Sequence, residues 1–184
     1  MSPLVFSTRA LKVINKAIDL FHHHGLHLVG VDRIVRESEI TKMTFYHYFQ
    51  SKARFIEICL LVQKERLQEK VIAMVECDHN TSVKEKLKIL YDLHTDLEGR
   101  YYLLFKAIFE TRNNYSNAYQ VAIKYRTWLT NEIYSHLRVL NREASFHDAK
   151  LLLHIIEGTI IQRLSHTDVD ERDKQFEYFI AILS

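Results

Sequence analysis

The stretch "ITKMTFYHYF", Ile40 to Phe49, sets four aromatic rings and a histidine beside one lysine and two threonines within ten positions. Ile40, Phe45 and Phe49 can form an apolar underside, which leaves Lys42, Met43, Thr44, Tyr46, His47 and Tyr48 on the remaining surface of a short helix. A buried helix has no use for Lys42, Thr44 and His47 so close together, and an exposed helix rarely carries four rings. A helix that docks by one face and offers the other to a partner meets both conditions.

Immediately upstream, "VDRIVRE" (Val31 to Glu37) reads as a second short helix with Val31, Ile34 and Val35 inward and Asp32, Arg33 and Arg36 outward. Further upstream, Ser7 can cap a longer helix in which Ala10, Leu11, Ile14, Ala17, Ile18 and Phe21 recur at i, i+3, i+4 spacing before Gly25 stops it. Two short helices joined by a tight turn behind a longer one make a helix-turn-helix arrangement.

Arg9 to Lys52 as a whole resembles the DNA-binding domain of the tetracycline-repressor (TetR) family. The residues that carry the likeness are Phe21 and Gly25, then Ile34, then Thr44, Phe45, Tyr46, Phe49, Ser51 and Lys52. Two positions depart from the family pattern. Val31 stands where a threonine commonly starts the second helix, and Glu39 stands in the turn where glycine is usual, so Glu39 is expected in a left-handed conformation costing about 1 kcal/mol or more.

The resemblance implies a regulator that binds a palindromic double-stranded operator as a homodimer. A small molecule taken up by the larger domain would change the spacing of the two recognition helices and release the DNA. On the recognition helix, Lys42 suits guanine O6 or N7 and Met43 suits a thymine methyl. Thr44, Tyr46 and Lys52 suit phosphate oxygens, His47 and Tyr48 suit bases or phosphates, and Arg33 and Arg36 suit the backbone.

The rest of the chain is helical by pattern, with one proline and four glycines as punctuation in 184 residues. Ser51 opens a long helix with Phe55, Ile58, Cys59, Val62, Leu67 and Val71 as its stripe. After a break at "CDHNT", Ser82 and Glu85 form a capping box for a helix with Leu87, Leu90, Tyr91 and Leu97 inward and Gly99 as its end. Tyr101 to Thr111, Ser116 to Leu140, Ser145 to His166 and Asp170 to Leu183 complete an all-α count of about nine helices. The expected organisation is a helix-turn-helix domain over residues 1–50 and a helical effector-binding and dimerisation domain over 51–184.

"LLLHIIEGTII" (Leu151 to Ile161) is apolar nearly all round, so its helix must be covered on every face. With the last helix it is the expected homodimer seam, where Gly158 permits close approach; packing within one subunit is the competing explanation. Tyr91, His94, Tyr102, Phe105, Phe109, Tyr125 and Trp128 are the candidate lining of an aromatic effector pocket suited to a flat or greasy small molecule. Aromatics at helical spacing also serve as ordinary core.

Charge supports the division. Residues 1–54 hold eight Lys and Arg against four Asp and Glu, a balance of +4 in a chain whose total is +2. Such an excess in the first quarter suits a polyanion.

Other functions find little support. "HHHGLH" gathers His22, His23, His24 and His27, but Gly25 interrupts the helix between them, and a helix C-terminus attracts such residues without a metal. Glu76 and His79 provide one isolated Glu-x-x-His spacing, and no HExxH, Gly-x-Ser-x-Gly, P-loop or dinucleotide glycine pattern occurs. No enzyme, metal or cofactor is therefore expected.

Cys59 and Cys77 are expected reduced and structural. No apolar run of membrane-spanning length and no signal-peptide pattern is present, which points to the cytoplasm. The remaining rival is a helical protein-interaction module that does not bind DNA.

Overall fold

The computed structural model describes residues 6–76, 81–165 and 173–183. Among them are nine helices and no strand: α1 (Thr8–His24), α2 (Val31–Glu37), α3 (Lys42–Phe49), α4 (Lys52–Glu76), α5 (Val83–Thr95), α6 (Arg100–Thr111), α7 (Ser116–Leu140), α8 (Phe146–Leu164) and α9 (Lys174–Leu183). Cys77, His79, and the helix ends expected at His166 and Asp170 lie outside the described residues. The chain divides into two compact units, residues 1–66 with 103–123 and residues 67–102 with 124–184.

In the first unit the helix ends follow from their caps. Ser7 Oγ accepts from the Ala10 amide, and Thr41 Oγ1 accepts from the Thr44 amide at 3.1 Å. Ser51 Oγ accepts from the Arg54 amide at 3.1 Å. Gly25 ends α1 with φ 83° and donates to the Phe21 carbonyl.

α3 ends in a γ-turn. Ser51 N–H reaches back to the Phe49 carbonyl at 2.7 Å, and Gln50 between them is held at φ 64° and ψ −49°.

The core of this unit is a cluster of phenylalanines. Phe45 and Phe49 of α3 both meet Phe55 of α4, at 4.8 and 4.4 Å between ring centroids, and Phe55 also meets Phe21 of α1 at 6.3 Å. All four rings are buried, each contributing about 1.5–3 kcal/mol relative to exposure. Because α4 supplies Phe55, Ile58 and Cys59 to this core, the first unit runs past the boundary expected at residue 50 and takes in α4 as far as Arg66.

In the second unit α5 carries the expected capping box, with Ser82 accepting from the Glu85 amide and Glu85 Oε2 accepting from the Ser82 amide at 2.8 Å. The helix stops at Thr95, earlier than Gly99, and Leu97 is half-buried in the turn rather than on the helical stripe. Asp96 accounts for the early stop. Its side chain accepts from the Glu98 amide and its carbonyl accepts from Gly99, a local turn that competes with another helical one.

Ser145 and Asp148 make a second capping box at the start of α8. That helix buries Leu152, Leu153, Ile156 and Ile160, while Leu151 and Ile161 are exposed at 50% and 56%. Among the described residues no helix is long and apolar enough to cross a membrane.

Candidate nucleic-acid interface

α3 is divided by face. Phe45 and Phe49 are fully buried, and Ile40 is half-buried in the turn that precedes the helix. Met43 is 81% exposed, Tyr46 is 47% exposed, and Lys42, His47 and Tyr48 are exposed as well. Tyr46 stands edge-on to Phe45 at 5.4 Å between ring centroids. Thr44 is half-buried, and its hydroxyl hydrogen-bonds that of the capping Thr41 at 2.9 Å.

The turn between α2 and α3 explains why Glu39 is backward-wound. Its amide donates to the Arg36 carbonyl, and the Ile40 amide donates to the Val35 carbonyl at 3.0 Å. These bonds form a Schellman motif whose penultimate position is left-handed, and Glu39 occupies it at φ 54°. At the other end of α2 the N-cap is Gly30, which has no side chain to bond the first amides, and Val31 is the first helical residue rather than the cap.

The cations of α2 and α3 are held in different ways. Lys42 Nζ lies 2.6 Å from Asp32 Oδ1, and this hydrogen bond, with the adjacent charge, raises the lysine pKa. The Arg33 guanidinium donates to His24 Nε2 at 2.8 Å. Arg36 extends to solvent, 3.9 Å from Glu37. Lys52 Nζ donates to the His27 carbonyl at 3.3 Å, and partial burial lowers its pKa against the opposing pull of Glu110.

Two residues of α6 that sequence reasoning passed over anchor the loop leading into α2. Glu110 Oε2 accepts from the Leu26 amide at 2.6 Å and the His27 amide at 3.3 Å. Lys106 Nζ donates to the His22 carbonyl at 2.8 Å at the open end of α1. A Cβ on residue 25 would stand 3.1 Å from the Glu110 carboxylate oxygens, a second reason beside its positive φ for glycine there. Lys106 and Glu110 are one helical turn apart, a spacing visible in the sequence, but their partners lie some eighty residues away and leave no local sign.

The candidate effector residues fall into both units. Phe105 and Phe109 belong to the first unit, where Phe105 is buried and Phe109 is 68% exposed. Tyr91, His94, Tyr102, Tyr125 and Trp128 belong to the second. There His94 is fully buried, with its Nδ1 donating to the Leu90 carbonyl and its Nε2 accepting from the Tyr125 hydroxyl, each at 2.6 Å.

Burial lowers the His94 pKa to about 4, against a rise from the Leu90 bond. Tyr101, adjacent to the expected Tyr102, enters this cluster as well. Its ring lies 4.9 Å from His94, and its hydroxyl donates to Glu157 Oε1, while Arg126 donates to Oε1 and Oε2 of the same carboxylate at 2.7 and 2.8 Å. Nothing in "RYYLLF" distinguishes the two tyrosines, because the choice depends on which side of α6 meets α5 and α8.

Residues 13–57 match the family described as bacterial regulatory proteins, tetR family. The biofilm operon icaADBC HTH-type negative transcriptional regulator IcaR of Staphylococcus aureus is 25% identical over 139 residues, covering 76% of this chain and 67% of the relative. Two solved structures share the fold. A TetR-family transcriptional regulator from Streptomyces coelicolor superposes with a TM-score of 0.80 at 16% identity, over 95% of this chain and 93% of that one. A putative transcriptional regulator from Saccharomonospora viridis in complex with choline does so with a TM-score of 0.82 at 18% identity, over 94% and 95%.

Proposed function

Because residues 13–57 match the tetR family of bacterial regulatory proteins, we propose that this chain acts as a TetR-type, ligand-responsive transcriptional repressor whose α3 enters the major groove of a palindromic operator. The observation that carries the reading is the division of α3, which buries Phe45 and Phe49 while leaving Lys42, Met43, Tyr46, His47 and Tyr48 exposed. Lys42 and Met43 read base edges in this proposal. Thr44, Tyr46, Lys52, Arg33 and Arg36 position the domain on phosphates, with His47 and Tyr48 at either.

A single helix-turn-helix module buries too little surface for tight specific binding, so two copies act together. The seam is proposed along α8 and α9. Leu151, Ile161, Tyr178 and Ile182 are exposed by half or more of their surface, and a Cβ on residue 158 would meet nothing within 4 Å. Such a band of apolar surface on packed helices suits an isologous contact.

The effector is a flat or apolar small molecule received by the second unit, whose aromatic residues include Tyr91, His94, Tyr102, Tyr125 and Trp128, and the protein works in the cytoplasm, where its operator is. A family of regulators gives no ground for an enzymatic role.

Salt tests the reading. A dimer making about six to eight phosphate contacts loses operator affinity with a log–log slope of roughly 5 to 7 in magnitude. Purified protein that shows no sequence-preferring, salt-sensitive binding to DNA from around its own gene would end the proposal.

A further inference from the structure

The helix-turn-helix carries an acidic residue placed against its own recognition helix. Lys42 is the first residue of α3, and its ammonium lies 2.6 Å from Asp32 of α2, with the two side chains 61% and 77% exposed. Exposure on both sides means that the pair is no core strut. It also leaves both groups within reach of a polyanion. A carboxylate oxygen at this distance fills the position that a phosphate oxygen or guanine O6 would take on the same ammonium.

We infer that Asp32 is a built-in competitor of DNA for Lys42, so that operator binding proceeds by exchange of this carboxylate for a DNA oxygen. The inference deepens the regulator reading and rests on it. An ammonium has three donors, but keeping Asp32 while binding DNA would bring the carboxylate toward the phosphates, and like-charge repulsion disfavours that arrangement. Exchange therefore frees Asp32, which must take up a counterion as Lys42 displaces one from the DNA.

Arg33 and Arg36 differ in this respect. The first donates to an imidazole nitrogen at 2.8 Å, and the second is 3.9 Å from the carboxylate beside it. The cation best placed at the tip of the recognition helix is thus the one already matched by a close carboxylate. Affinity is held below what the cations of α2 and α3 would otherwise give, and Asp32 is the residue that sets the difference.

The test is a double-mutant cycle on the full chain, using a fluorescent duplex enriched by the protein itself from a random pool and a shuffled duplex of equal length. Asp32→Asn should tighten binding to the enriched duplex about two- to fivefold, the range for releasing one exposed ion pair. It should also steepen the log–log salt slope by about 1, because Lys42 now displaces a counterion with no compensating uptake.

In a Lys42→Met background the same substitution should change affinity by much less. An equal gain with and without Lys42 overturns the inference, since Asp32 would then act only through net charge. A loss of affinity in Asp32→Asn overturns it as well, by making Asp32 a support for Lys42. If the unmodified protein shows no salt-sensitive preference for the enriched duplex, the regulator reading falls first and this inference with it.

Discussion

Replacing Glu39 by glycine should stabilise the protein, and the comparison with alanine isolates the reason. Glu39 sits at φ 54° because the amides of Glu39 and Ile40 close back onto Arg36 and Val35, and those bonds leave the residue no other conformation. A side chain with a Cβ pays about 1–2 kcal/mol there, whereas glycine has no such penalty but loses about 0.4–1 kcal/mol more on folding through its freer unfolded chain.

The expected net gain for Glu39→Gly is therefore about 0.5–1 kcal/mol. Glu39→Ala removes the same charge while keeping the Cβ, so it serves as the control for electrostatics. Urea unfolding should place the glycine variant about 1 kcal/mol above the alanine variant, and thermal unfolding should place it about 2–4 °C higher for a chain of this size. An alanine variant as stable as the glycine variant would refute the idea that backbone winding is the source of strain.

Three further outcomes are expected. Glu110→Ala should cost about 1.5–3 kcal/mol in urea unfolding, because it leaves the amide of fully buried Leu26 without its charged acceptor, and Glu110→Gln should recover part of that loss. His94, held near pKa 4 by burial against 6.5 unfolded, contributes stability that is complete above pH 6.5 and lost as pH falls toward 4; unfolding at pH 5 should show about 2 kcal/mol less than at pH 7, and His94→Gln should flatten that difference. Tyr46→Ala should weaken DNA binding in an anisotropy titration while leaving the melting temperature nearly unchanged, and a collapse of the melt would return this half-exposed ring to the core.

The sequence by itself determined the helices and the divided face of α3, because both are written in local spacing. Ser7, Ser51, Ser82 and Ser145 stand where caps must stand, and Phe45 and Phe49 lie one turn apart. The position of Glu39 was marked in the sequence only by the glycine that the family pattern usually has there, and the structure decides that the glutamate takes the left-handed conformation.

Tertiary structure alone decided which partners meet across the chain. Tyr101 joins His94 and Glu157, Glu110 reaches back to the amides after α1, and Asp32 faces Lys42. The division of residues into two units, with the start of α4 in the first, belongs to the same class. Periodicity records which side of a helix is apolar, but the neighbour on that side is set by how whole helices pack, and no residue spacing within one helix carries that information.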